Sequence, residues 1–432
     1  MNQSIVVHWF RRDLRLSDNT ALTAALNSES AVLPIFIFDP NILEELPKDD
    51  ARVSFIYRQL SLIKEQLLAD GGELLCFHKD PLEVFKELSS RYPIRAIFTN
   101  RDYEPYALQR DSAIQTWAAQ NQIEFKTFKD QVIFEHDQIL KTDGKPYTVY
   151  TPYMKKWQAS FSTELLDLRT TTSSNWASVT HQWMALKDLG FTPSPIEVPD
   201  YHLDKTLLDH YSDKRDFPAQ NGTSQLSTHL RFGTVSIRQI VKAALESSKD
   251  QFLKELIWRE FFMQVLWHFP YTITKSFKSQ YDNIPWRNAP KDFDSWKTGN
   301  TGYPLVDAGM RELNATGLMH NRVRMVVASF LCKHLLIDWR LGEAYFASKL
   351  LDYEQASNVG NWQWAAGCGC DAAPYFRIFN PSTQWIKFDK ASEYVSKWVP
   401  EFQELDYPRP IVDHKEARIR CLESYKRALA QF

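Results

Sequence analysis

Three stretches of this chain concentrate residue types that can do chemistry. Between Asp338 and Asn380 lie Trp339, Trp362 and Trp364, the acidic residues Asp352 and Glu354, and Asn358 four residues before Trp362. On a helix that spacing puts a polar amide one turn from an indole, an arrangement able to hold a flat redox-active ring. A Trp-rich core helix has the same pattern, so this stretch alone leaves both readings open. Thr223-Ser224-Gln225-Leu226-Ser227 follows Gly222 and runs into a helical segment. Hydroxyls and backbone N–H groups at a helix start suit an anion such as a pyrophosphate, although such clusters also simply cap helices. Glu255 and Trp258, three residues apart, share one helix face.

These residues need elements to position them. Over residues 1–130, short β-rich apolar runs at Ile5–Trp9, Ala31–Phe38, Glu73–Phe77, Ala96–Thr99 and Glu124–Phe128 alternate with amphipathic stretches. The latter, Thr20–Leu26, Ala51–Ala69, Pro81–Arg91 and Pro105–Gln120, predict helices, and the alternation predicts a doubly wound parallel α/β sheet. It holds neither G-x-G-x-x-G nor a P-loop, so the fold brings no dinucleotide or nucleotide-triphosphate fingerprint with it. Residues 131–200, with Ser/Thr and Pro clusters, read as an interdomain connection with a short helix near Met154–Phe161. Residues 201–432 are helical in texture, a larger all-α domain.

Composition narrows the function classes. The 432 residues exceed what one core organises, and 44% hydrophobic with 24% charged residues describes a globular protein. A net charge of −2 supplies no global attraction for nucleic acid, so any such partner needs a local basic patch. No apolar run reaches the length of a membrane span, and the first one breaks at Arg11-Arg12, unlike a secretory signal. Five cysteines form no paired framework. Cys368-Gly-Cys370 lacks further ligands at zinc spacing, so these read as reduced thiols of a cytoplasmic protein without a structural metal.

The order of motifs adds a resemblance. T-S-Q-L-S-T-H-L-R-F-G (223–233), E-L-I-W-R-E-F (255–261), T-G-L-M-H-N-R-V-R-M (316–325) and the 338–380 stretch succeed one another, and H-W-F-R-R-D-L-R-L-S-D-N (8–19) opens the chain. Together they resemble the DNA photolyase/cryptochrome family over nearly the whole length, nearest to class I cyclobutane pyrimidine dimer photolyases. The resemblance implies light-dependent dimer repair through electron transfer from photoexcited reduced FAD to a flipped-out dimer. A cryptochrome-type blue-light receptor signalling through flavin photoreduction is the alternative. Ultraviolet-damaged DNA is the implied partner of a monomer with no obligate protein partner.

By the same resemblance, FAD is held non-covalently by Tyr211, Thr223, Ser224, Gln225, Leu226, Ser227, Arg324, Asp352, Tyr353, Glu354 and Asn358. Arg324 and Asp352 fall at an ion pair beside the flavin ring, and Asn358 opposite its N5, where repair enzymes carry Asn. Trp362, Trp339 and Trp286 match an electron relay; Trp296 reads as core. Trp258 and Trp364 match the indoles flanking the lesion, with Glu255, Asn321 and Met325 as its polar and thioether contacts. Enzymes for 6-4 lesions carry a His pair where this chain has Asn321 and Met325. Arg215, Arg322 and Gln384, with Arg377 and Lys387, are implied DNA contacts. Glu104 resembles the carboxylate of folate-binding members, so a second antenna chromophore, folate or deazaflavin, is implied without its identity.

Overall fold

A computed structural model describes residues 4–430 and divides the chain into two compact units. Of the described residues, the first contains 4–135, 161–200 and 226–243; the second contains 136–160, 201–225 and 244–430.

Five parallel strands organise the first unit: β1 (Ile5–Phe10), β2 (Ala31–Phe38), β3 (Leu75–His78), β4 (Ile94–Asn100) and β5 (Glu124–Phe128), in the order β3-β2-β1-β4-β5. Every residue of β1 is buried, as expected of a central parallel strand covered on both faces. Val7 of β1 pairs with Leu33 and Ile97, and these side chains meet Trp9, Val84, Phe85 and Ile114 in the core. The helices start where short polar side chains can accept a first-turn N–H. Asn19 caps Thr20–Leu26, Asp50 caps Ala51–Ala69, and Asp80 caps Pro81–Arg91, whose N1 proline has no N–H to satisfy. The four predicted helices are observed at their predicted limits; the strands differ from expectation by at most two residues at an end.

Residues 131–200 do not form one connection. Tyr150–Ser160 is a helix of the second unit, whereas 161–200 runs along the sheet unit, where Val32 and Asn175–Ala177 exchange backbone hydrogen bonds. Residues 226–243, expected in the helical domain, belong with the sheet for an electrostatic reason. The Arg238 guanidinium bonds Asp18 at 2.9 Å and Asp130 at 2.8 Å, and Asp130 also takes Arg15 at 2.6 Å. Gly233 fixes the approach: at φ +63°, its missing Cβ would lie 2.1 Å from the Arg12 carbonyl oxygen.

The second unit is helical. Its core centres on Trp296, Trp339, Trp362, Val327, Phe330 and Leu331, supplied by the helices Pro290–Thr298, Asn321–Ser329, Trp339–Lys349 and Gln355–Ala366 and by the turn Phe330–His334. The helix that begins at Asn321 is α-helical to Ser329 and then widens into a π-turn over Phe330–His334. The buried Lys333 lies in that turn and donates to the carbonyls of Ala366 and Tyr375.

Candidate functional site

The helix Gln251–His268 is apolar around most of its surface, but Glu255 and Trp258 lie on the part left half-exposed. Glu255 is ion-paired with Arg215 and accepts from Gln251 Nε2 at 2.7 Å. The next residue, Asp216, pairs with Arg322 at 2.7 Å, and Arg322 Nη1 touches Met325 Sδ at 3.8 Å. A continuous line of charge and thioether therefore joins the expected lesion residues on two helices. Asn321, exposed, stands one turn before Met325 on the same face. Arg215 was expected at DNA phosphate; its guanidinium is instead committed to the Glu255 carboxylate and lies 5.3 Å from the Tyr211 ring.

His320, next to this line, does not supply the missing imidazole. Its ring accepts from the Arg322 N–H as a helix cap, and burial pushes its pKa down to about 4, so it is neutral at pH 7. Trp258 stacks on Tyr150, with centroids 3.7 Å apart and planes within 7°. Trp364, half-buried, faces Phe379 at 6.5 Å. Between Trp362 and Trp364, Gln363 is spent on structure, donating to Thr272 and Lys275 carbonyls and accepting from Phe277 N–H. The two indoles thus leave the helix on different sides, Trp362 into the core and Trp364 toward the half-exposed side. Gln384 is half-buried on the helix Pro381–Phe388, while Arg377 and Lys387 are exposed.

The ion pair that the resemblance implied between Arg324 and Asp352 is present. Arg324 Nη2 contacts both oxygens of Asp352, at 2.9 and 3.2 Å, and its Nε donates to the Met319 carbonyl. Glu354 is buried against Arg259 at 3.3 Å. Asn358 Nδ2 donates to the main-chain oxygen of Glu343 at 3.1 Å and to its carboxylate at 2.9 Å. A main-chain oxygen only accepts, so the amide nitrogen must face Glu343 and the amide oxygen points the other way. Sequence reading missed Glu343 and Arg259. Burial holds the Glu343 carboxyl above the ordinary range, and the Tyr353 hydroxyl also donates to it, at 3.4 Å. The signal for Glu343 was its place one turn after Trp339; for Arg259 it was adjacency to Trp258.

Thr223, Ser224 and Gln225 belong to the helical unit, while Leu226 and Ser227 open the Ser227–Phe232 helix of the sheet unit. No hydroxyl caps that helix; Leu226 occupies the cap position. Gln225 is left-handed (φ +55°) and Leu226 right-handed (φ −74°), a pairing that turns successive N–H groups into an anion-binding concavity. Within the helical unit, the arginine–carboxylate pair and the amide of fixed orientation offer charged and polar groups to a flat polar ring.

The three relay candidates occupy different settings. Trp362 is buried against Phe346 at 5.0 Å and Trp296 at 6.1 Å, so Trp296 is core and also in ring contact with Trp362. Arg340 lies 4.7 Å over Trp339, and Trp286, half-buried, meets the Tyr425 ring at 6.1 Å. The indole N–H groups of Trp286 and Trp339 are buried without an acceptor. The Glu104 carboxylate is ion-paired with Arg231 at 2.7 Å and Arg12 at 3.3 Å. Cys368 and Cys370 are free thiols, pushed up by burial to about 12 and about 11. Among the described residues no group of metal-ligating side chains assembles, and no helix is long and apolar enough to cross a membrane.

Comparison with known proteins converges on one family. The DNA photolyase family model matches residues 6–171, and the model for the FAD binding domain of DNA photolyase matches 252–406. The deoxyribodipyrimidine photo-lyase of Agrobacterium fabrum is 36% identical over 97% of this chain and 97% of its own. A class III photolyase structure from Agrobacterium tumefaciens superposes with TM-score 0.89 at 35% identity, covering 99% and 98% of the two chains. The cryptochrome of Synechocystis superposes with TM-score 0.84 at 26% identity, covering 98% and 99%. With its sheet unit, its helical FAD-binding domain and this similarity along almost its full length, the chain belongs to the DNA photolyase family.

Proposed function

We propose that this protein is a light-driven cyclobutane pyrimidine dimer photolyase that acts on ultraviolet-damaged DNA. The observation that carries the reading is the half-exposed line Glu255–Arg215 and Asp216–Arg322–Met325 beside Trp258 and Asn321. A flipped lesion needs flat walls and a few fixed polar groups, and this line supplies them without a proton donor of ordinary imidazole pKa. Bound FAD supplies light absorption and the transferable electron.

The chain's own residues bind, orient and tune. Thr223–Ser227 would hold the pyrophosphate, Arg324 and Asp352 would flank the flavin ring, and the Asn358 oxygen would offer an acceptor to a ring N–H. Tyr211 is close to Arg215 in this arrangement, and Tyr353 and Glu354 border the same segment. Arg322 and Gln384 would steady the DNA strand by contacts that carry no sequence information. At Glu255, Arg215 already provides positive charge, so negative charge arriving on a dimer carbonyl meets a cation and needs no proton from the carboxyl. A class III structure also matches the chain along nearly its whole length, at 35% identity, so the class I resemblance does not carry the substrate assignment.

Purified protein is expected to release FAD on denaturation; release of FMN instead would overturn the cofactor assignment. The deciding experiment incubates ultraviolet-damaged oligothymidine with the protein in light and in darkness. Dimers should disappear in light only, while 6-4 products persist. Unchanged dimers alongside reversible flavin photoreduction would favour the cryptochrome reading, which the shared fold also accommodates.

A further inference from the structure

Tyr150 is the first residue of the helix Tyr150–Ser160, and nothing in the pattern of its sequence marks it. Its side chain is buried, and the residue is held from three directions. The ring lies flat on the Trp258 indole at 3.7 Å, and the hydroxyl donates to the Lys254 carbonyl at 2.7 Å, one helical turn before Trp258. The backbone N–H donates to Asp371 Oδ2 at 3.0 Å. Asp371 lies seven residues beyond Trp364, in the turn that follows the Gln355–Ala366 helix. Tyr150 also lies within electrostatic range of Glu255, whose charge adds to burial in raising the phenol pKa. One residue therefore touches the Trp258 wall directly and the segment bearing the Trp364 wall through a hydrogen bond.

We infer that Tyr150 is a positioning residue that fixes the Trp258 indole and couples it to the Trp364 segment, so that the two walls keep a separation suited to a pair of stacked pyrimidines. An indole with one face free can rotate about χ1 and χ2, and each rotation changes the gap that a flat lesion must enter. Stacking on a ring that is itself tethered removes that freedom before the lesion arrives, so less ordering accompanies binding. The inference rests on the repair function proposed above, but the positioning itself can be measured without DNA.

The test uses FAD-loaded protein labelled with 5-fluorotryptophan, with the Trp258 resonance assigned through Trp258→Phe. Tyr150→Leu should shift or broaden that resonance while flavin content and spectrum stay at parent levels. Its preference for ultraviolet-damaged over undamaged oligothymidine should fall roughly five- to tenfold, the scale of one aromatic stacking contact. Tyr150→Phe keeps the ring and should restore both readouts to near parent values. Asp371→Ala keeps the stack but loosens the tether, and should give a smaller loss of preference. An unmoved Trp258 resonance in Tyr150→Leu overturns the inference, as does a Tyr150→Phe protein that fails as badly as the leucine variant. Should Tyr150→Leu lose its flavin, Asp371→Ala decides, and a parent-like preference there counts against the coupling. A parent protein that ignores dimers while Tyr150→Leu still moves the resonance would instead overturn the repair reading and leave the positioning role supported.

Discussion

The two units use the same ion-pair chemistry to opposite ends. In the sheet unit, the side chains of Arg15, Arg238, Asp18 and Asp130 are between 1% and 7% exposed and neutralise one another. In the helical unit, Arg215 and Glu255 are 19% and 29% exposed, and Arg322 and Asp216 are 19% and 40% exposed. Water, and hence a ligand, reaches the second set but not the first. A sealed network holds segments distant in sequence together, and its cost of desolvation is offset only while every partner is present. A half-open pair contributes little to stability and can exchange a partner for a substrate group. Burial, more than residue identity, separates a lock from a socket in this molecule.

Breaking the lock should have the largest effect. Asp130 accepts from Arg15, Arg238 and the Thr20 hydroxyl, so Asp130→Ala leaves two buried guanidiniums short of a counter-charge. A loss of about 3–5 kcal/mol is expected, a large share of a typical domain's stability, read as the urea midpoint of the sheet unit. Burial alone would raise the Asp130 carboxyl, but the Arg15 and Arg238 guanidiniums reverse this and hold it below the ordinary carboxylate range. A depressed carboxylate contributes stability that is present above the unfolded pKa, near 4, and is lost as pH falls through the lower folded value. Acid titration should therefore spare the network until below about pH 4. A loss under about 1 kcal/mol for Asp130→Ala would remove the distinction between lock and socket.

The relay candidate comes next. Trp362→Phe keeps an apolar ring against Phe346 and Trp296 but removes the readily oxidised indole. Photoreduction of oxidised flavin should be nearly abolished, while chemically pre-reduced protein still repairs dimers. Collapse of both activities would make Trp362 structural and leave the relay unsupported.

Much of this was legible in the sequence, for identifiable reasons. The helices of the sheet unit start at Asn, Asp or Pro and carry local signals, so their limits could be read directly. The Arg324–Asp352 pair was implied by the family resemblance that the motif order carries. What escaped depended on contacts between residues far apart in the chain. Tyr150 meets Trp258 across 108 positions, Arg238 reaches Asp18 across 220, and Glu343 meets Asn358 through a turn between helices. The membership of 226–243 in the sheet unit escaped for the same reason. Helical texture marks secondary structure, whereas the partner that neutralises Arg238 is fixed only in three dimensions.

Emptying the socket tests the other half of the comparison. Glu255→Ala removes a half-exposed carboxylate and frees Arg215, so folding stability should change by less than about 1 kcal/mol. FAD content should stay at the parent level. Repair at saturating DNA should fall about 10- to 100-fold, the scale of one charge-assisted hydrogen bond to the substrate. The preference for cyclobutane over 6-4 lesions should remain, because Asn321, Met325 and the neutral His320 are untouched. A variant that repairs like the parent would show that this carboxylate has no part in the chemistry; one that unfolds would make the pair a second lock.

The smallest expected effect lies at the edge of the socket, where His320 caps the Asn321–Ser329 helix with a neutral ring. Burial is the main cause of its lowered pKa, with Arg322 and Arg324 adding to it and Asp216 opposing. The unfolded state takes up a proton near pH 6.5 and the folded state only near pH 4, so stability from this group is complete above about 6.5 and declines toward 4. His320→Asn keeps an efficient capping acceptor but cannot titrate. The variant should match the parent at pH 7.5 and exceed it by about 1 kcal/mol at pH 5, after allowing for the partial exposure of the ring. Denaturant midpoints across pH 4.5–7.5 would show the two curves diverging downward from near pH 6.5. Parallel curves would mean that His320 gains a proton in the folded state, and an imidazolium beside Asn321 and Met325 would reopen the 6-4 lesion as a substrate.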